Sequence, residues 1–317
     1  MSTYGIKTQR LSRGSHRGPT EIDGLPVVAK KGPIYYFDGS KGGNGNGTSW
    51  TDAANTMASL FAKLVGGETI LFVGKCTEQL VTPVQIFDVS IIGVGNRPRH
   101  ADSTPSGGNT YASQWGGSGT AAKANLRILQ QGWHVENILF SMVDSNAAGI
   151  EVVRDAGSGN DERDGSHLVA RGVKFAGAGV GIRGGVAGTF TEIPNHVVVE
   201  DCEFLQNTFG LRSAIQCQNW TVRRNIFRDS TNAITAQLGS TYIYENIVNG
   251  FTAAANSGGI DLTGGQGLNV VTKNFLGGTY SNAGGYKVAN ANDVWFGNFT
   301  SVSSGTDLAS INVADPA

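Results

Sequence analysis

The chain is short of most features that announce a ligand. Its 317 residues include only three cysteines, Cys76, Cys202 and Cys217. Their spacing suits neither a zinc site nor a disulfide scaffold. Lys plus Arg total 24 and Asp plus Glu 25, a balance that argues against a dedicated nucleic-acid binder. No apolar run reaches the roughly 18 residues of a membrane span. The basic N-terminal residues are not followed by an apolar stretch, so no secretory signal is read there. These gaps set the expectation of a protein made in a cytoplasm, with no membrane segment, no cofactor and no metal.

Glycine is abundant, at 46 residues, as a fold with tight turns at every corner requires. The segments VVVEDCEF, WTVRRNIF, TYIYENIV, NVVTKNFL and DVWFGNFT share one phase. Cys202, Asn225, Asn246, Asn274 and Asn298 hold it, each three residues after a large apolar residue (Val199, Val222, Ile243, Val271, Trp295). WHVENILF and LVARGVKF extend the pattern backwards in weaker form. Repeats at irregular intervals of roughly 20–35 residues point to a solenoid whose loops vary in length. A second strand follows in each repeat, with Ile150, Ile182, Leu211, Ile234, Ile260, Tyr286 and Ile311 expected to point inward. Like residues then stack about 4.8 Å apart. The asparagines are read as a structural ladder, each amide satisfied by its neighbour and the turn backbone, because a buried unpaired amide costs roughly 1–3 kcal/mol.

The stretch IYYFDGSKGGNGNGTSWTDAANTMASLFAKLVGGETILFVG, followed by DVSIIGVGNR, resembles the opening coils of right-handed parallel β-helix proteins of the pectin-lyase-like type. The resemblance covers about residues 34–313. It implies an all-β fold, a right-handed parallel β-helix solenoid with an N-terminal capping helix and an extended N-terminal arm. It says little about activity, since this architecture hosts many functions.

Residues 1–32 are polar, with Lys7, Arg10, Arg13 and Arg17 among six basic residues against two acidic ones. They are read as an assembly arm, since a segment so poor in apolar residues orders only against something else. Residues 33–317 form a single β-helix domain. A capping helix is expected over about 50–65, with Asp52 as N-cap and Gly66–Gly67 as stop. Insertions are expected over about 97–123 and 154–166. Asp155, Asp161, Glu162 and Asp164 in the second match no calcium-loop spacing and read as a solvated loop.

Enzymes of this fold usually work on the outer face of one parallel sheet. The outward residues of the second strand are Glu151, Arg183, Arg212, Thr235, Asp261, Lys287 and Asn312. Glu151, Arg183, Arg212, Asp261 and Lys287 are therefore the groove candidates for a sugar. Against catalysis, Glu151 and Asp261 lie four coils apart, about 19 Å. Glycosidases want carboxyl pairs within roughly 5–10 Å. Cross-coil charge pairing is the plainer reading, and no catalytic residue is assigned.

The strand before the ladder is apolar on both faces. Val169, Val198, Thr221, Tyr242, Val270 and Val294 point outward, beside a second outward column Glu136, Arg171, Glu200 and Arg223. A sheet facing water alternates apolar and polar, so this stripe reads as an interface. The resemblance implies side-by-side trimers. Within the family the chain looks most similar to bacteriophage virion proteins. The expected role is a non-enzymatic capsid-decorating protein. It would be located in the virion, a homotrimer bound to the major capsid protein or other virion subunits. Two alternatives stay open: a tailspike or fibre protein that binds or depolymerises host polysaccharide, and a cellular polysaccharide lyase or epimerase.

Overall fold

The computed structural model describes residues 32–94, 113–116, 123–153, 165–185, 194–250, 258–278, 286–287 and 292–300, with short pieces at 21–22, 25–26 and 312–313. The strands stack into a right-handed parallel β-helix. A first stack runs from Ile34–Asp38 through His134–Glu136 to Val294–Phe296. A second runs from Ser113–Gly116 through Glu203–Leu205 to Phe299–Thr300. Thr69–Cys76 pairs in both, so the two form one 19-stranded sheet. A third stack, from Leu80–Val81 to Tyr286–Lys287, is a separate eight-stranded sheet. Among the described residues the pairings are parallel, except Glu21–Ile22 with Leu25–Pro26 and Phe299–Thr300 with Asn312–Val313.

One corner carries the repeat. The first-stack strand ends, one residue turns the chain with positive φ, and the ladder residue follows. The turning residues are Asn137, Gly172, Asp201, Arg224, Glu245, Lys273 and Gly297, with φ between 54° and 64°. Behind them the amides close on one another. Asn225 Nδ2 donates to the Val199 carbonyl at 2.9 Å and to Asn246 Oδ1 at 3.0 Å. The same Asn246 oxygen accepts the Asn225 backbone N–H. Asn246 and Asn274 repeat this arrangement toward Asn298. Cys202 opens the ladder, its N–H bonded to Asn225 Oδ1 at 2.9 Å.

The core fills from columns of like side chains. Trp115, Phe140, Phe175, Phe204 and Phe227 stack ring on ring, centroids 4.5–5.6 Å apart. Leu126, Ile150, Ile182, Leu211, Ile234 and Ile260 face them from the third stack, all fully buried.

Several expectations need correction. The capping helix is only Met57–Phe61. Its N-cap position is Thr56, and the Glu78 carboxylate receives the Met57 and Ala58 N–H groups. Asp52 instead ties down its own loop, accepting from Asn46 and Thr48. Within the expected 97–123 insertion, Ser113–Gly116 is a core strand with Trp115 fully buried, its indole N–H donating to the Glu78 carbonyl at 2.7 Å. Residues 97–112 and 117–122 lie outside the described residues, as do 154–164 and the arm residues Lys7, Arg10, Arg13 and Arg17. Asn312 leaves the outward column of the third stack, because it pairs antiparallel with Thr300 in the second.

Candidate functional site

The third stack presents an outward column in strict register: Val81, Arg127, Glu151, Arg183, Arg212, Thr235 and Asp261, with the Lys287 backbone paired next in line. Glu151 is fully buried beneath it. Arg127 Nε donates to Glu151 Oε2 at 2.9 Å, and Arg183 Nη1 stands 4.0 Å from Oε1. Arg183 donates to the Asn146 carbonyl as well. Arg212 lies over the Phe209 ring, 4.5 Å from its centroid. Burial lowers the Arg183 pKa; Glu151 works against that, while Arg212 and Arg127 push further down. Lys123 and Arg127 line an adjoining cleft of about 290 Å³ with Gln79, Leu80, Val81 and Ala124. Sequence reasoning found Glu151, Arg183 and Arg212 but missed Arg127 and Lys123, whose coil lacks the asparagine signature. Asp261 is four register steps from Glu151, so the two carboxylates do not meet.

The charged column of the first stack is a closed clasp. Glu200 is 1% exposed and takes hydrogen bonds from Arg171, Arg223 and Arg224. Arg224 continues to Asp201 at 3.0 Å, and Arg223 to the Tyr244 hydroxyl at 3.0 Å. Burial pushes the Glu200 pKa up, and the bonds from Arg223 and Arg171 more than offset it, holding the carboxyl below its usual range. Glu136 is also buried. Neither glutamate therefore belongs to an exposed stripe.

The apolar stripe is likewise shorter than expected. Val169, Val198, Thr221 and Val270 are half-buried. Exposure concentrates in the last coils, where Tyr242 is 54%, Val294 52% and Phe296 50% exposed. Across the corner, Ile247, Phe275 and Phe299 are exposed in register on the second stack.

The three thiols are free and buried. Cys76 and Cys217 are buried, which pushes the Cys76 thiol far up and Cys217 up to about 12. Cys202 sits in the ladder, its sulfur against backbone carbonyls. His167 and His196 stack one coil apart, centroids 4.8 Å and planes within 7°.

Residues 119–305 match the model of the family described as periplasmic copper-binding protein (NosD). Solved structures give the fold. The YbhC protein of Escherichia coli aligns at 10% identity with a TM-score of 0.54, covering 86% of this chain and 80% of that one. A pectin methylesterase from Aspergillus niger aligns at 10% identity and 0.51, covering 87% of each. No curated protein sequence matches significantly. The family's periplasmic description overturns the expected virion location, and nothing in these comparisons supports the capsid-decorating role. None of the matches named here is a bacteriophage protein.

The matched segment does not fit a copper centre. Its sulfur and imidazole groups are His134, Met142, His167, His196, Cys202 and Cys217. Among the described residues no three His, Cys, Asp or Glu side chains come together. Imidazole lone pairs lie in the ring plane, so two rings stacked face to face at 4.8 Å cannot both reach an ion at the roughly 2 Å of a metal–nitrogen bond. Copper(I) selects Cys and Met sulfur, and the sulfurs of this segment are buried.

Proposed function

The chain belongs to the NosD family, and from that membership and the basic strip on its third stack we propose that it binds an extended anionic polysaccharide without cleaving it. The observation that carries this reading is Arg183. Its side chain is 12% exposed, held in register between Glu151 and Arg212, with Arg127 one coil further. Four cations, Lys123, Arg127, Arg183 and Arg212, share this strip with one buried carboxylate. Charge taken out of water is costly unless compensated. An acidic polymer lying along the column supplies the missing negative charge, meeting Lys123 and Arg127 on one coil and Arg183 and Arg212 two and three coils further on. A family described as periplasmic favours glycan over nucleic acid as that polymer.

Cleavage is not part of the reading. Glu151 is buried and bonded to Arg127, and Asp261 stands four coils away, so no carboxyl pair faces a bound chain.

Native electrophoresis through gels holding polygalacturonate, alginate, neutral dextran or DNA tests the proposal. Retardation by an acidic glycan only, lost in Arg183→Ala and Arg212→Ala, is the expected result. Equal mobility in every gel would overturn it, and equal retardation by DNA would reduce it to unspecific charge. Release of new reducing ends would move the reading to catalysis.

A further inference from the structure

The outer face of the first stack ends in a small exposed grid. Tyr242, Val270 and Val294 form one column and Tyr244, Thr272 and Phe296 the next, in register. Tyr242, Val294 and Phe296 are each half exposed or more. Exposed apolar groups gathered on one face mark a contact surface more often than scattered ones do. The corner beside the grid carries charges of alternating sign, one per coil: Asp201, Arg224, Glu245, Lys273. The first two close on each other at 3.0 Å. Glu245 and Lys273 do not. Both are exposed, and neither has an ion-pair partner among the described residues.

This margin is self-complementary, and we propose that the grid packs against the same grid of a second copy with the two solenoid axes antiparallel. The two-fold axis lies in the interface, parallel to the strands, and passes between the Glu245 and Lys273 coils. Glu245 then meets the partner subunit's Lys273, and Lys273 meets the partner subunit's Glu245. Tyr242 falls opposite the partner's Val270 and Tyr244 opposite the partner's Thr272. Phe296 lies over the partner's Arg223, a cation–π arrangement.

The charges select this register. A shift by one coil opposes Lys273 to its own copy. A parallel pairing sets the corner charges against the far margin of the sheet, where Leu268 stands 63% exposed. Only the antiparallel arrangement pairs both charges twice over, as an isologous contact requires. It differs from the parallel trimer expected from the resemblance, and it uses a face other than the glycan strip.

Sedimentation of the full chain over a wide concentration range is the test. The expected result is a reversible monomer–dimer equilibrium. Glu245→Lys and Lys273→Glu each weaken it about tenfold or more, as repulsion worth 1.4 kcal/mol does. The double exchange Glu245→Lys with Lys273→Glu restores it. Phe296→Ser gives a monomer with an unchanged circular dichroism spectrum. A monomer at every concentration, a trimer, or a dimer indifferent to the single reversals would each overturn the proposal.

Discussion

Asn246 Nδ2 donates to Asn274 Oδ1 at 2.9 Å, and that same oxygen takes the Asn246 backbone N–H at 3.1 Å. One buried side chain thus serves two donors of the coil before it, while its own amide serves two acceptors. Asn246→Ala strands groups on both sides, and burying unpaired polar groups costs roughly 1–3 kcal/mol each. Urea unfolding should therefore show a loss of about 3 kcal/mol. Asn246→Asp should cost a similar amount, because a carboxylate accepts but cannot donate to the Val222 carbonyl.

Glu200 ties stability to acid. Its pKa is held low in the folded chain by Arg223 and Arg171. Its contribution is present above the ordinary carboxylate pKa and is lost as pH falls through the lowered folded value. Thermal melts below about pH 4.5 should show Tm falling with pH, and Glu200→Gln should flatten that slope while lowering Tm at neutral pH.

Cys217 acts at the other end of the scale. Its folded pKa stands at about 12 against an ordinary 9.0. The neutral thiol is favoured in the fold, so its contribution is complete below pH 9.0 and declines toward pH 12. At pH 8 a thiol reagent should leave Cys217 unmodified in the native protein and label it at once in urea. Rapid native labelling would contradict the packing.

The single-residue corner predicts a substitution pattern. Gly172 has φ 59°, with nothing within 4 Å of an added Cβ. Gly172→Asn should leave stability nearly unchanged, since Asn tolerates this conformation. Gly172→Val should cost about 1–2 kcal/mol, the usual penalty of the left-handed region. Chemical denaturation of the two variants reads the difference.

The coil was legible in the sequence because its chemistry repeats. A polar amide between two core residues has few homes other than a stacked turn, and Asn225 through Asn298 all occupy one. Trp115 was not legible, since its strand lies among Gly and Ser residues that read as loop. Arg127 was missed because its coil precedes the asparagines. Burial of Glu136 and Glu200 escaped the reading because face alternation gives direction but not cover. For Glu200 the cover comes from arginines one coil to either side. Subcellular address escaped it too: nothing in the coil residues encodes where the chain resides.

The asparagine corner also separates what this molecule can vary from what it cannot. In seven successive coils the first-stack strand ends three residues before the next begins, from Glu136 and Leu139 to Phe296 and Phe299. The other two corners differ in length from coil to coil. Insertions are therefore absorbed away from this seam, and the solenoid can acquire new loops, and new ligands through them, without losing the alignment of a single column.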